Sequence, residues 1–262
     1  LLQLDSRQVE VDYPAMFRNR LDLSAIAGEL RLLRGEQQWR FVSDELNVDT
    51  PHLDTRSRLD ITIPFEGAPF IDMVTRFHKG EGGEKSRYLP AAIMPRATVE
   101  WLDKAIVNAQ IPDGGFLFYG RVSDYPFSHG EGVMQALFDV RHATLKYQPD
   151  WPALEDLSAR VEFYNRRLSI TGGKGQILGS PFYDTSMQIP DLHNATLSIH
   201  GKVKSELPRM QSFIAHSPLH KVFGQYFLNL QMQGKANLDL DITIPIKDDA
   251  STRVVGDLTM ID

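Results

Sequence analysis

His216 and His220 in HSPLH stand four residues apart, the spacing that brings two imidazoles to one helical face for a metal ion. Pro218 falls between them, and the glutamate of an H-E-x-x-H site is missing, so a surface or helix-end role is expected. TGGKGQ around Lys174 offers glycine-rich backbone to a phosphate. It lacks the G-x-x-x-x-G-K-[ST] spacing and a following helix, and reads as a hairpin or loop. HGEG at His129–Gly132 holds no serine nucleophile, and G-x-S-x-G occurs nowhere. Adjacent carboxylates, Glu155/Asp156 and Asp248/Asp249, point in different directions on any regular element. Asp239 and Asp241 share a strand face, where a solvated surface explains them. Glycosidase chemistry needs two carboxyls facing each other across a substrate. Asn194 in NAT fits a glycosylation acceptor, which matters only in a eukaryotic secretory setting. No catalytic set emerges: the chain reads as a non-enzyme with no metal and no cofactor.

Composition narrows the remaining classes. The 262 residues are 42% hydrophobic and 24% charged, the balance of a folded chain. Net charge is −6 with both signs interspersed, which argues against nucleic acid as a partner. Cysteine is absent, so there are no disulfides or thiolate metal sites. No apolar run approaches the roughly 20 residues that span a bilayer. The opening LLQLDSRQVEV and closing GDLTMID read as cut from something longer, leaving room for an anchor or targeting signal outside this piece.

Strand-period alternation dominates, and one hexapeptide, LDITIP, occurs at both Leu59–Pro64 and Leu240–Pro245. Successive strand side chains alternate faces, so Leu59, Ile61, Ile63 and Phe65 point one way and Arg58, Asp60 and Thr62 the other. Leu238, Leu240, Ile242, Ile244 and Ile246 likewise oppose Asn237, Asp239, Asp241 and Thr243. Met134–Val140 and Ala195–Val203 have the same pattern. Pro64 and Pro245 should end each copy, bulge it or place it at an edge, because proline cannot donate to a ladder. In VEFYNRRLSI a two-residue turn at Asn165–Arg166 pairs Phe163 with Leu168 and Val161 with Ile170. In YFLNLQMQGKANLDLDI parity excludes a two-residue hairpin at Gly234–Lys235. A three-residue turn or one long strand keeps Leu228, Leu230, Met232, Leu238 and Leu240 on one face.

Two helices interrupt the strands. PRATVEWLDKAIVNA has Pro95 in a first turn and Val99, Leu102 and Ile106 on one face. ELPRMQSFIAH gives a second, at Glu206–His216, with Met210, Phe213 and Ile214 apolar. It packs to close the sheet or caps one face of it. Phe116, Phe118, Tyr119, Tyr125, Phe127, Tyr147 and Trp151 read as packed aromatic core. The polar, Gly-rich His78–Ser86 marks a module boundary. The expected division is a β-module at 1–79, a linker at 80–87, a helix plus antiparallel β-module at 88–205, and a short helix plus long-strand module at 206–262.

RYLPAAIMPRATVEWLDKAI, followed by LFYGRVSDYPFSHGEGVMQALFDVRHATLKYQPDWPALEDLSARVEFYNRRLSITGGKGQILG, resembles the YhdP branch of the AsmA-like proteins. The likeness is strongest over Arg87–Ser180 and returns at SPL and LDLDITIPI. It implies a mainly β fold in which long curved antiparallel sheets form an open groove, here with two short helical inserts. It also implies a periplasmic segment of a cell-envelope protein, anchored to the inner membrane through a segment absent from this chain. The partners would be phospholipid acyl chains, with both membranes engaged by parts outside the piece. Leu59, Ile61, Ile63, Leu228, Leu230, Met232, Leu238, Leu240, Ile242 and Ile244 would line that groove. The alternative is a non-catalytic structural or protein-interaction β-sandwich, in which the same side chains form a dry core. Alternation is identical in both.

Overall fold

The computed structural model describes residues 1–92, 94–221, 224, 230–246 and 251–261. Its strands are β1 (Leu2–Val11), β2 (Leu21–Arg34), β3 (Gln38–Asp49), β4 (Asp54–Pro64), β5 (Phe70–Glu81), β6 (Ile106–Arg121), β7 (Val133–Leu145), β8 (Leu154–Tyr164), β9 (Arg167–Ile177), β10 (Ser180–Ile189), β11 (Thr196–Glu206), β12 (Lys235–Pro245) and β13 (Arg253–Ile261). Helices α1 (Lys85–Tyr88), α2 (Arg96–Ala105) and α3 (Leu207–Ala215) lie between them, α1 being an addition to the two expected. The fold is mainly β, and each strand hydrogen-bonds to the next in sequence, a 13-stranded antiparallel meander. Both LDITIP copies end their strands at the proline, as its missing N–H requires. The next residue returns to the neighbouring strand: Phe65 N–H donates to the Gln37 carbonyl and Ile246 N–H to that of Ala195.

The chain forms two compact units. The first comprises Leu1–Glu100, Gln110–Asp139 and Glu162–Arg166. Its β2–β3 and β3–β4 registers both shift around residues 43–46, a bulge in β3. Gly28 permits it. At φ +149° a β-carbon there would stand 2.4 Å from the Glu45 carbonyl oxygen, so only glycine lets the two backbones approach. His78–Ser86 carries the end of β5, a 3₁₀ turn at Gly82–Glu84 and the start of α1. Asn165, at φ +50°, turns the chain between β8 and β9 as expected.

The second unit comprises Trp101–Ala109, Val140–Val161 and Arg167–Asp262. Here α2 stops at Ala105, whose carbonyl accepts a hydrogen bond from Lys146 N–H at 2.7 Å, and Ile106 opens β6. The helical face expected through Ile106 is therefore cut short. β-Branched Ile106 and Val107 join a ladder once β7 supplies its partners, and tertiary pairing overrides the local helical period. Proline stands in the first turn of α3, which buries Leu207 and sets Phe213 5.8 Å from Trp151. Residues 230–234 are not strand; Gly234 takes φ +108° and β12 starts only at Lys235. The long strand or three-residue turn expected there is absent from the described part of that segment. Helix α3 accounts for it, since Leu207 N–H and the Gln211 side chain claim the Gly234 and Leu230 carbonyls.

Candidate functional site

Residues directly opposite in an antiparallel ladder share a face, so the registers trace rows of side chains across each unit. In the second unit Ile170, Met187, Ile199, Ile242 and Val254 form one unbroken row across β9 to β13. At about 4.8 Å per strand it spans roughly 19 Å, more than the roughly 15 Å of hydrocarbon in one leaflet. Phe182, Val203, Leu238 and Leu258 form a second row. Between them lies Gly201–Leu240–Gly256, where two missing side chains flank one leucine.

In the first unit Leu32, Phe41, Ile61 and Ile71 form a row that ends on Gly120. Beside it run Ser43, Leu59, Met73 and Phe118. The Phe77 ring lies over Gly114, where a β-carbon would approach it to 2.7 Å, and so reaches Phe138 at 6.1 Å. Phe138 in turn meets Phe163 at 6.2 Å.

These rows are mainly apolar, and apart from Phe182 and the buried Ser43 their side chains are only partly covered. None of Leu59, Ile61, Leu238, Leu240, Ile242 and Ile244 is fully buried, and Ile63 is exposed. Val254, Leu258 and Met260 on β13 are 59%, 53% and 62% exposed. Full burial is sparse: Phe127, Leu207 and Val99 reach it in loops and helices, and Leu23, Ala143, Phe182, Ile189 and Ala236 reach it on strands. A dry core between packed sheets would bury its central strands far more completely.

The opposite face is charged and internally paired. The Arg40 guanidinium donates to both oxygens of the Asp60 carboxylate, at 2.8 and 2.5 Å, and Arg58 donates to Asp72 at 2.8 Å. In the second unit His200 faces Asp241 at 3.0 Å and Lys202 reaches Asp184. The hydrogen bond from Arg40 outweighs partial burial and holds the Asp60 carboxyl below the ordinary aspartate range. A depressed folded-state pKa stabilises the fold above the unfolded value and loses that contribution as pH falls through the folded one. Asp60→Asn should therefore be less stable than wild type at neutral pH. Urea midpoints of the two should converge below about pH 3.9; a constant gap across that range would refute the pairing.

The sequence-derived candidates distribute unevenly. Leu59, Ile61 and Ile63 share β4's apolar face in one unit, and Leu238, Leu240, Ile242 and Ile244 share β12's in the other. Leu230 is exposed and Met232 half-buried in non-strand chain, outside these rows, and Leu228 lies outside the described residues. Ile71, Met73, Met187 and Val254 complete the rows without having been singled out. In FIDMVTRF of β5, Phe70 and Val74 on the second face blur the alternation that would have flagged Ile71 and Met73. Of the seven aromatics expected as core, only Phe127 is fully buried, whereas Tyr119 and Tyr125 are exposed. Half-burial pushes the Tyr147 phenol up to about 12.

The chemically suggestive motifs are used structurally. His216 and His220 bond through Nδ1 to the Ser212 and Ser217 carbonyls, each at 2.8 Å. Lys174 lies within strand β9. His129 pairs with Glu131 at 3.0 Å in a turn. No helix among the described residues is long and apolar enough to cross a membrane.

A family model described as YhdP protein matches residues 1–262. The chain is 23% identical over 260 residues to the intermembrane phospholipid transporter YhdP of Escherichia coli strain K12. That match takes in 99% of this chain and 20% of the relative, so the chain spans about a fifth of the relative's length. No solved structure matches the chain.

Proposed function

The chain belongs to the YhdP family, and from that premise we propose that it is a non-catalytic stretch of a lipid path. Phospholipid acyl chains would lie on its apolar β-face while passing between the inner and outer membranes through the periplasm. The observation carrying this reading is the uncovered row Ile170–Met187–Ile199–Ile242–Val254, continuous over five strands. The phospholipid transporter similar to this chain supports the choice of ligand.

The energetics favour a continuous surface over a pocket. Each methylene moved into water costs about 0.8 kcal/mol, so two chains with about 30 methylenes cost roughly 25 kcal/mol. An apolar floor offsets most of that along its whole length. A lipid then slides between equivalent positions, and the ladder supplies such positions every 4.8 Å or so. No residue needs to bind tightly. The path needs only to remain unbroken.

Photo-crosslinking tests the reading directly. A photoreactive amino acid at Leu240, in the full-length protein inside bacterial cells, is expected to capture phospholipid. The same residue at Asp241, on the opposite face, is expected to capture none. Adducts at neither position, or only to protein, would make Leu240 part of a dry core and return the segment to the β-sandwich reading.

A further inference from the structure

The apolar face of the first unit ends in a row unlike the others. Ile63, Trp39 and Arg34 lie directly opposite one another on β4, β3 and β2, one step beyond the Leu32–Phe41–Ile61–Ile71 row. Trp39 and Ile63 are exposed, as is Leu32 in the adjoining row, so this end of the face is open. Arg34 lies on the apolar side, its guanidinium carbon 5.6 Å from the centre of the Trp39 ring. The arginines of the opposite face are placed differently: Arg31, Arg40 and Arg58 each donate to an aspartate. Among the described residues Arg34 has the indole as its side-chain partner instead.

We propose that Arg34 and Trp39 form a contact for the phosphodiester of a phospholipid whose acyl chains lie on the adjoining rows. The inference rests on the lipid-path reading and adds to it where the headgroup sits. An indole holds a guanidinium flat while leaving the edge that carries its N–H donors open, and that edge matches a phosphate bidentately. An aromatic ring beside it suits the ester region, where one end of the lipid is apolar and the other wet. Along the rim from β2 to β4 the row passes from cation to aromatic to aliphatic, the order of a phospholipid read from phosphate to chain.

Two phospholipid probes test the contact in the purified full-length protein, one with a diazirine in the headgroup and one at the acyl terminus. The headgroup probe is expected to label the rim at Trp39, and the acyl probe to label Leu59, Ile61, Ile63 or Met73. Arg34→Gln should lower headgroup labelling about tenfold, the effect of one lost charge-assisted hydrogen bond. Acyl labelling should be unchanged, and Arg34→Lys should restore part of the loss. Equal headgroup labelling in wild type and Arg34→Gln would overturn the proposal, as would labelling centred on the Arg58–Asp72 face. Inorganic phosphate separates the two sources of this chemistry: displacement of the headgroup label would identify a free-phosphate site and overturn the lipid contact, and persistence supports it. Absent acyl labelling with Arg34-dependent headgroup labelling would sink the lipid-path reading alone.

Discussion

Ile242→Asp is expected to stop lipid passage while leaving the chain folded. Ile242 stands opposite Ile199 on one side and Val254 on the other, in the middle of the five-strand row. On the proposed path, a carboxylate there would meet every acyl chain crossing the second unit. Placing a charged side chain in hydrocarbon costs about 3 kcal/mol, which slows passage by roughly two orders of magnitude. Because the position is only half-buried, the aspartate keeps access to water in the empty protein, and the fold loses little. Thr243→Asp is the control: it adds the same charge on the opposite face, directly across from Arg253. The measurement is phospholipid captured at a downstream crosslinking position in cells, together with urea midpoints of both variants. Wild-type capture in Ile242→Asp would show that lipid does not follow this row. Collapse of the fold in that variant would instead mark Ile242 as packed core.

Phe127→Ala should have the largest effect on stability, with a cost of about 3–5 kcal/mol. The ring is 3% exposed, 5.4 Å from Phe118, and occupies space that Gly120 and Gly132 leave free. A β-carbon on either glycine would approach it to 2.6 Å. Nothing small can refill that volume, so truncation leaves a cavity where loop and sheet meet. Ile61→Ala provides the contrast. Ile61 is half-buried in its row, and its truncation should cost about 1 kcal/mol, below the 2–5 kcal/mol of a filled core. Denaturant unfolding of the two variants measures both. Equal losses would mean that the apolar face is as well packed as the loop, and the uncovered-face description would fall.

The contrast between Phe127 and Ile61 also marks what could be read in advance. Alternation placed Leu59, Ile61, Ile63, Leu238, Leu240, Ile242 and Ile244 on the correct faces. Strand geometry has a period of two, and each residue's side is fixed by its neighbours in the chain. Both prolines ended their strands, and Asn165 turned its hairpin, because these are properties of single residues and their immediate bonds. Phe127 was legible as an aromatic residue but not as the one fully buried member of its group. That status depends on Gly120 and Gly132 arriving beneath it from two different segments.

Helix α2 fails at Ile106 for a related reason. Val99, Leu102 and Ile106 satisfy a helical face locally, yet Lys146 donates to the Ala105 carbonyl and captures the next residue into β6. A partner forty residues away is invisible to a periodicity. Leu230 and Met232 fit the parity of β12 but lie outside it, because α3 takes the carbonyls of Leu230 and Gly234.

By itself, then, the sequence determined the strand class, the two faces of each LDITIP copy and the places where those strands stop. Each follows from covalent geometry and nearest-neighbour pattern. Only the tertiary structure decided that, among the described residues, the apolar face is left largely uncovered and that its side chains line up into rows. Alternation is the same whether a second sheet, a lipid or water lies opposite. Coverage and register are set by which strand pairs with which, and that choice is made between residues far apart in the chain.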